Sequence, residues 1–151
     1  MISNKWDIRF ARLAKEISTW SKDPSTQIGA VIVNDDRRIL GTGYNGFPSR
    51  IADDSRLDDR EKKYPIIIHA EMNALVNCLQ SGVPVKDATI YVYGLPVCSD
   101  CGKMLVQSGI GRIVMCYPKP LPDHWVTSCQ KSEKLFIEAG INFIVLDRKS
   151  I

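Results

Sequence analysis

Two short clusters in this chain hold residue types that bind and use a metal ion. Cys98-Ser99-Asp100-Cys101 places two thiols two residues apart at the predicted start of a helix. Unpaired N–H groups and a partial positive charge at a helix N-terminus favour the thiolate, which is the metal-binding form. His69 stands at another predicted helix start, with Glu71 two residues further on. One imidazole and two thiolates suit Zn2+, and three protein ligands leave the fourth tetrahedral position to water. Glu71 would then touch that water without ligating the metal and carry its protons. Residues two apart do not share a face of a regular helix, but both side chains can reach a metal that lies off the helix end rather than along its flank. Each half has a plainer alternative. Glu71 alone is a first-turn glutamate that favours the helix dipole, and Cys98 with Cys101 alone is also a thiol redox pair. A structural zinc would need a fourth ligand, for which His124 and Cys129 are available.

The elements that must position these residues follow from periodicity. Trp6, Phe10, Leu13, Ile17 and Trp20 lie four, three, four and three apart, one face of an amphipathic helix that Asp23-Pro24-Ser25 ends. Gln27 to Val33 is β-branched and apolar, and Asn34-Asp35-Asp36-Arg37 turns it into a second strand, Ile39 to Tyr44. Pro48 to Lys63 is a charged surface insertion with room for a short helix. Ala70, Ala74, Leu75 and Cys78 fall at helical spacing before Gly82 and Pro84. Thr89 to Tyr93 is a third strand. Ser99 is placed to cap a helix running to about Gln107, with Gly109 beyond it. Arg112 to Tyr117 is a fourth strand, followed by a proline-rich loop. Trp125, Cys129, Phe136 and Ala139 mark a last helix before a fifth strand, Ile141 to Leu146. Strands that alternate with helices run parallel through right-handed crossovers, so only the first pair is a hairpin. The expectation is an α/β fold of three layers, α/β/α, with a five-stranded mixed sheet and helices on both faces.

Bulk properties narrow the function classes. A chain of 151 residues suits one domain over 1–151 with one hydrophobic core. No apolar run approaches the ~20 residues needed to span a bilayer. Met1-Ile2-Ser3-Asn4-Lys5-Trp6-Asp7 lacks the apolar core of a signal peptide, which reads as a cytoplasmic chain with no membrane partner. Five unevenly spaced cysteines argue against a disulfide framework and for a metal or redox role of the close pair. Cys78, Cys116 and Cys129 read as small buried hydrophobes. A net charge of +3 spread along the chain is weak for a nucleic-acid partner but compatible with a small anionic substrate.

His69-x-Glu71 followed by Cys98-x-x-Cys101 is the signature of zinc deaminases that act on cytosine or adenine. Val97 stands where that signature has proline, and Pro96 lies one place earlier. From Trp6 to about Leu146 the chain resembles the deoxycytidylate (dCMP) deaminases of the cytidine deaminase superfamily. The similarity rests on Ser21-Lys22-Asp23-Pro24-Ser25-Thr26-Gln27-Ile28-Gly29-Ala30, on Gly43-Tyr44-Asn45-Gly46, and on Lys63-Tyr64-Pro65 leading to His69-Ala70-Glu71-Met72-Asn73-Ala74. The resemblance implies hydrolytic conversion of dCMP to dUMP and ammonia, with His69, Cys98 and Cys101 on zinc and Glu71 as acid and base. It implies that Asn45 bonds the sugar and the Ala70 backbone holds the pyrimidine edge, although Asn45 beside Gly46 also reads as a turn residue. Lys22, Ser25 and Tyr117 are candidates for the 5′-phosphate, with Arg50, Arg56, Arg60 and Lys63 as alternatives. It further implies a homo-oligomer, most often a hexamer. The Gly43, Tyr44, Asn45 and Gly46 region would help bind a regulatory nucleoside triphosphate with Mg2+, dCTP activating and dTTP inhibiting. The loop before His69 lacks the extra cysteines and histidines of some members, so one zinc per chain is expected. The alternatives are a zinc deaminase of modified dCMP, free cytidine or tRNA adenosine, and a non-catalytic zinc module.

Overall fold

The computed structural model describes residues 4–151; Met1, Ile2 and Ser3 of the N-terminal stretch read above lie outside them. Helix α1, Lys5–Ser18, begins at a capping box. The Asn4 side chain accepts from the N–H groups of Trp6 and Asp7, and the Asp7 carboxylate accepts from the Asn4 N–H at 3.1 Å. This satisfies helix-end donors from both directions. The buried face is Phe10, Ala11, Ala14 and Ile17, as the periodicity predicts. Strand β1, Gly29–Val33, turns through Asn34 into β2, Ile39–Tyr44. The Asn34 carboxamide oxygen accepts the N–H groups of Asp36 and Arg38, both at 3.0 Å, and closes the turn.

The charged insertion contains a 3-10 turn, Ser55–Asp58, and a short helix α2, Arg60–Lys63. Then follow α3, Ala70–Gln80; β3, Thr89–Tyr93; α4, Ser99–Ser108; β4, Arg112–Cys116; α5, Asp123–Glu138; and β5, Asn142–Val145. The sheet order is β2-β1-β3-β4-β5. β1 is antiparallel to both neighbours, while β3, β4 and β5 run parallel. The β2–α3–β3 crossover therefore skips over β1, and the expected three-layer mixed sheet is formed.

Side chains alternate across the sheet with period two. Ala30, Ile32, Ile90, Val92, Ile113 and Met115 face a core shared with Ala74 and Cys78 of α3, Leu105 of α4 and Phe136 of α5. Val31, Val33, Tyr91, Val114 and Cys116 face the other core, closed by Phe10, Ala14 and Ile17 of α1. One helix covers one face and three the other. Gly43 explains how α3 can lie so close to the edge strand. A Cβ there would stand 2.6 Å from the Ala70 carbonyl oxygen and closer still to the Ala74 nitrogen. Gly43→Ala should push α3 outward and cost about 1–3 kcal/mol as overpacking, read as a lowered thermal midpoint. It should also cut activity, because the start of α3 holds His69 as its N-cap and Glu71 in its first turn.

The boundaries of four elements differ from expectation. The first strand starts at Gly29, not Gln27, because the Ile28 N–H is taken by the Asn45 carboxamide oxygen at 2.9 Å; the Gln27 side-chain amide donates to the Ser21 carbonyl at 2.7 Å. The fourth strand closes at Cys116 and the fifth spans Asn142–Val145. The N-cap of α4 is Cys98, whose sulfur accepts from the Cys101 N–H, and Ser99 is its first helical residue.

A buried ion pair unseen in the sequence joins α1 to β4. Asp7 is 1% exposed and receives both Arg112 guanidinium nitrogens, at 2.7 and 2.8 Å, and the Tyr91 hydroxyl at 2.9 Å. Burial alone would raise its pKa, but the Arg112 and Tyr91 hydrogen bonds outweigh it and hold the carboxyl below its ordinary value. A depressed folded pKa contributes stability above the unfolded value of about 3.9 and loses it as pH falls through the folded value. The stability gap between wild type and Asp7→Asn, followed by denaturant titration, should be constant above about pH 5 and shrink in more acidic buffer.

Candidate active site

Two helix starts on the three-helix face of the sheet form the site. His69 is the N-cap of α3, extended at φ −69° and ψ 153°. Cys98 is the N-cap of α4, extended at φ −73° and ψ 167°. The approach to His69 is not a strand: Ile68 makes a single antiparallel bridge with Gly46, N–H to O at 2.8 and 3.1 Å. The approach to Cys98 leaves β3 through Gly94 and the buried Val97. Where proline would have no donor, Val97 directs its N–H at the Met115 sulfur, 3.5 Å away, so the exchange leaves no stranded polar group. Ser128 of α5 accepts the Ser99 N–H at 2.9 Å and ties the start of α4 to α5.

His69 Nδ1 lies 3.5 Å from Cys98 Sγ and 3.3 Å from Cys101 Sγ, and the three ligand atoms fall within 4.8 Å of one another. Zinc bonds of about 2.0–2.1 Å to nitrogen and 2.3 Å to sulfur, at a tetrahedral angle, set such atoms roughly 3.5 Å apart. The donor set and its spacing fit zinc. Among the described residues no fourth candidate joins the group. Cys129 is occupied by Glu133 at 3.4 Å, and His124 stands at the cleft instead.

The titrating groups are strongly coupled. His69 is raised to about 8, first by its hydrogen bond with Cys98 and then by the charge of Glu71, against the effect of burial. Cys98 is lowered to about 4, chiefly by the hydrogen bond from Cys101 and further by His69, while Cys101 is pushed up as the donor of that pair. Glu71 is 3% exposed, and burial raises it to about 7, with His69 opposing. A carboxyl near neutrality is suited to taking and returning a proton. The i, i+2 spacing is accommodated because His69 sits outside the helix in extended backbone while Glu71 is in its first turn. Ala70 between them is fully buried.

His69 opens onto a cleft of about 400 Å³, lined also by Asp23, Ser25, Thr26, Ile28, Asn45, Arg60, Lys63, Tyr64, Ile67, Leu95, His124 and Trp125. Of the phosphate candidates, Ser25, Arg60 and Lys63 reach this cleft. Lys22, Tyr117, Arg50 and Arg56 are not among its lining. Lys22 is exposed and paired with Asp53 at 2.9 Å, and Arg56 with Asp54 at 2.8 Å. Tyr117 packs in the core and borders a separate groove beside β5.

Asn45 is buried in the cleft wall with its carboxamide occupied. Its oxygen accepts from Ile28, and its nitrogen donates to the Thr26 carbonyl at 2.8 Å and approaches Asp23 at 3.5 Å. The Asn45 carbonyl accepts the Ser21 hydroxyl at 2.8 Å. Tyr44 turns outward, edge-on to Trp20 at 6.2 Å between ring centroids. Sequence reasoning missed the pair of Asp23 with Lys63, 3.1 Å apart and both under a tenth exposed. It also missed the wall supplied by His124 and Trp125. Neither has a local signal, since they are 40 and more residues from their partners.

Residues 4–117 match the cytidine and deoxycytidylate deaminase zinc-binding region. The chain belongs to the cytidine and deoxycytidylate deaminase family. It is 38% identical to the "Uncharacterized deaminase in luxG 3′ region" of Aliivibrio fischeri over 93% of this chain and 92% of that one. It is 34% identical to human deoxycytidylate deaminase over 92% of this chain and 78% of that one. Its fold superposes with a TM-score of 0.75 on the dCMP deaminase of cyanophage S-TIM5 crystallised with dCMP and dUMP. The match covers 97% of this chain and 100% of the phage chain at 21% identity. The His, Cys, Cys cluster thus lies in a zinc-binding region of a zinc deaminase family. No helix among the described residues is long and apolar enough to cross a membrane.

Proposed function

We propose that this protein hydrolyses dCMP to dUMP and ammonia, with His69, Cys98 and Cys101 holding one Zn2+ per chain and Glu71 carrying protons. The observation that carries the reading is the three-ligand cluster beside a buried Glu71, with its His69 opening onto a cleft of about 400 Å³. Bound zinc supplies a water acidic enough to serve as nucleophile near neutral pH, with a pKa brought toward ~7. Glu71 accepts the proton from the attacking water and delivers it to N3 of the ring as C4 becomes tetrahedral. Glu71 next takes the proton of the new C4 hydroxyl and passes it to the amino group; the C4–N bond breaks as the C4 carbonyl forms, and ammonia leaves. Glu71 is itself buried, which keeps solvent from competing for these transfers. Asn45 closes the cleft wall where the sugar lies, and the start of α3 at Ala70 borders the pyrimidine edge.

Ammonia release from dCMP, dCTP, deoxycytidine, CMP and a tRNA substrate tests the reading. dCMP should give the highest kcat/KM, and a preference for deoxycytidine or tRNA would overturn it. The reading includes a cytoplasmic homo-oligomer, a hexamer, and regulation by dCTP with Mg2+ and by dTTP. Light scattering reads the first, and repeating the assay with each triphosphate reads the second.

A further inference from the structure

We propose that Arg60 is the anion anchor of the cleft and gives this protein its preference for a 5′-phosphorylated substrate over the free nucleoside. The proposal rests on the dCMP reading above and assigns the phosphate contact to one residue of the cleft lining. Three cleft-lining groups are of the right chemistry: Ser25, Lys63 and Arg60. Two are already committed. The Lys63 ammonium is 7% exposed, sits 3.1 Å from an Asp23 oxygen that is itself buried, and donates to the Ser25 hydroxyl at 3.0 Å. The Ser25 hydroxyl in turn donates to the same Asp23 oxygen at 2.8 Å. Drawing Lys63 away to a phosphate would strand the Asp23 charge in a dry wall, which is costly. The triad is a structural knot, and its net charge is zero.

Arg60 differs in each respect. It is exposed at the first residue of α2 and has no carboxylate within ion-pair distance among the described residues. Its guanidinium lies 4.8 Å from the Tyr64 ring centroid, and Tyr64 also lines the cleft. Stacking on a ring limits the rotamers of a long side chain and leaves its edge nitrogens free. That edge is the fork that binds phosphate oxygens two at a time. A charged guanidinium without a carboxylate partner, stacked on Tyr64 and lining a cleft of about 400 Å³, is suited to a phosphate monoester.

The test is Arg60→Gln, assayed with dCMP and with deoxycytidine beside wild type and an Arg56→Gln control, whose side chain lies off the cleft. Loss of one charge-assisted contact should lower kcat/KM for dCMP roughly 10- to 100-fold, mainly through KM. Deoxycytidine turnover should stay within about threefold, since Arg60 does not meet the base. By titration calorimetry dUMP should weaken by a similar factor and deoxyuridine should not. Arg56→Gln should match wild type, which separates a specific contact from loss of a surface charge. If wild type prefers dCMP and Arg60→Gln keeps that preference, the role of Arg60 is overturned while the dCMP reading stands. A wild type indifferent to the 5′-phosphate overturns both.

Discussion

Glu71→Gln is expected to leave one zinc per chain and to remove nearly all turnover, by roughly 10²–10⁴-fold, the range that general acid–base catalysis contributes. Glutamine preserves the shape of the glutamate, so the packing beneath α3 should survive. The amide cannot accept a proton from the nucleophile or return one to the leaving group. Its burial matters twice. Burial raises Glu71 to about 7, so it works at neutral pH, and it keeps bulk water from substituting as the proton carrier. Metal analysis and ammonia release on the same preparation separate binding from chemistry. Zinc-loaded Glu71→Gln with substantial turnover would remove Glu71 from the mechanism and return it to a helix-dipole role.

Cys98→Ser should show the opposite pattern, with zinc far below one per chain and activity lost as a consequence. Serine is chosen for a structural reason. Cys98 is the N-cap of α4, its sulfur accepting from the Cys101 N–H at 3.4 Å, and serine is a good N-cap. The helix start should therefore persist while the thiolate is lost, and circular dichroism should remain close to that of wild type. Outer-shell partners of a metal typically contribute about 10–100-fold in affinity, so loss of a direct ligand should exceed that. A Cys98→Ser protein that retains stoichiometric zinc through dialysis against a chelator would place the metal elsewhere.

Much of this molecule was legible from local patterns. The α1 stripe, the Asn34 turn, the apolar strands and the glycine ends of α3 and α4 depend on interactions within a few residues, so periodicity and turn chemistry suffice. The chemistry was legible because a helix start imposes its own electrostatics, which makes a histidine or cysteine there meaningful before any fold is known. Where local reading went astray, a distant group had intervened. The first strand starts only at Gly29 because the Asn45 side chain takes the Ile28 N–H, and α4 is capped by the cysteine because a sulfur, not the neighbouring hydroxyl, faces the open N–H.

Local patterns were enough to single out His69, Cys98 and Cys101 as candidate ligands, Glu71 two residues from the histidine, and the order of elements that brings two helix starts to one sheet. Which charged groups are free to act depended on how the chain packs. Lys22, Arg56, Lys63 and Arg60 are alike on the page as cations, yet three are held by Asp53, Asp54 and Asp23. Only Arg60 of the four both faces the cleft and keeps its charge unpaired. The reason is physical: a metal ligand is defined by its own donor atom, whereas the availability of a charge is set by whatever the fold packs against it.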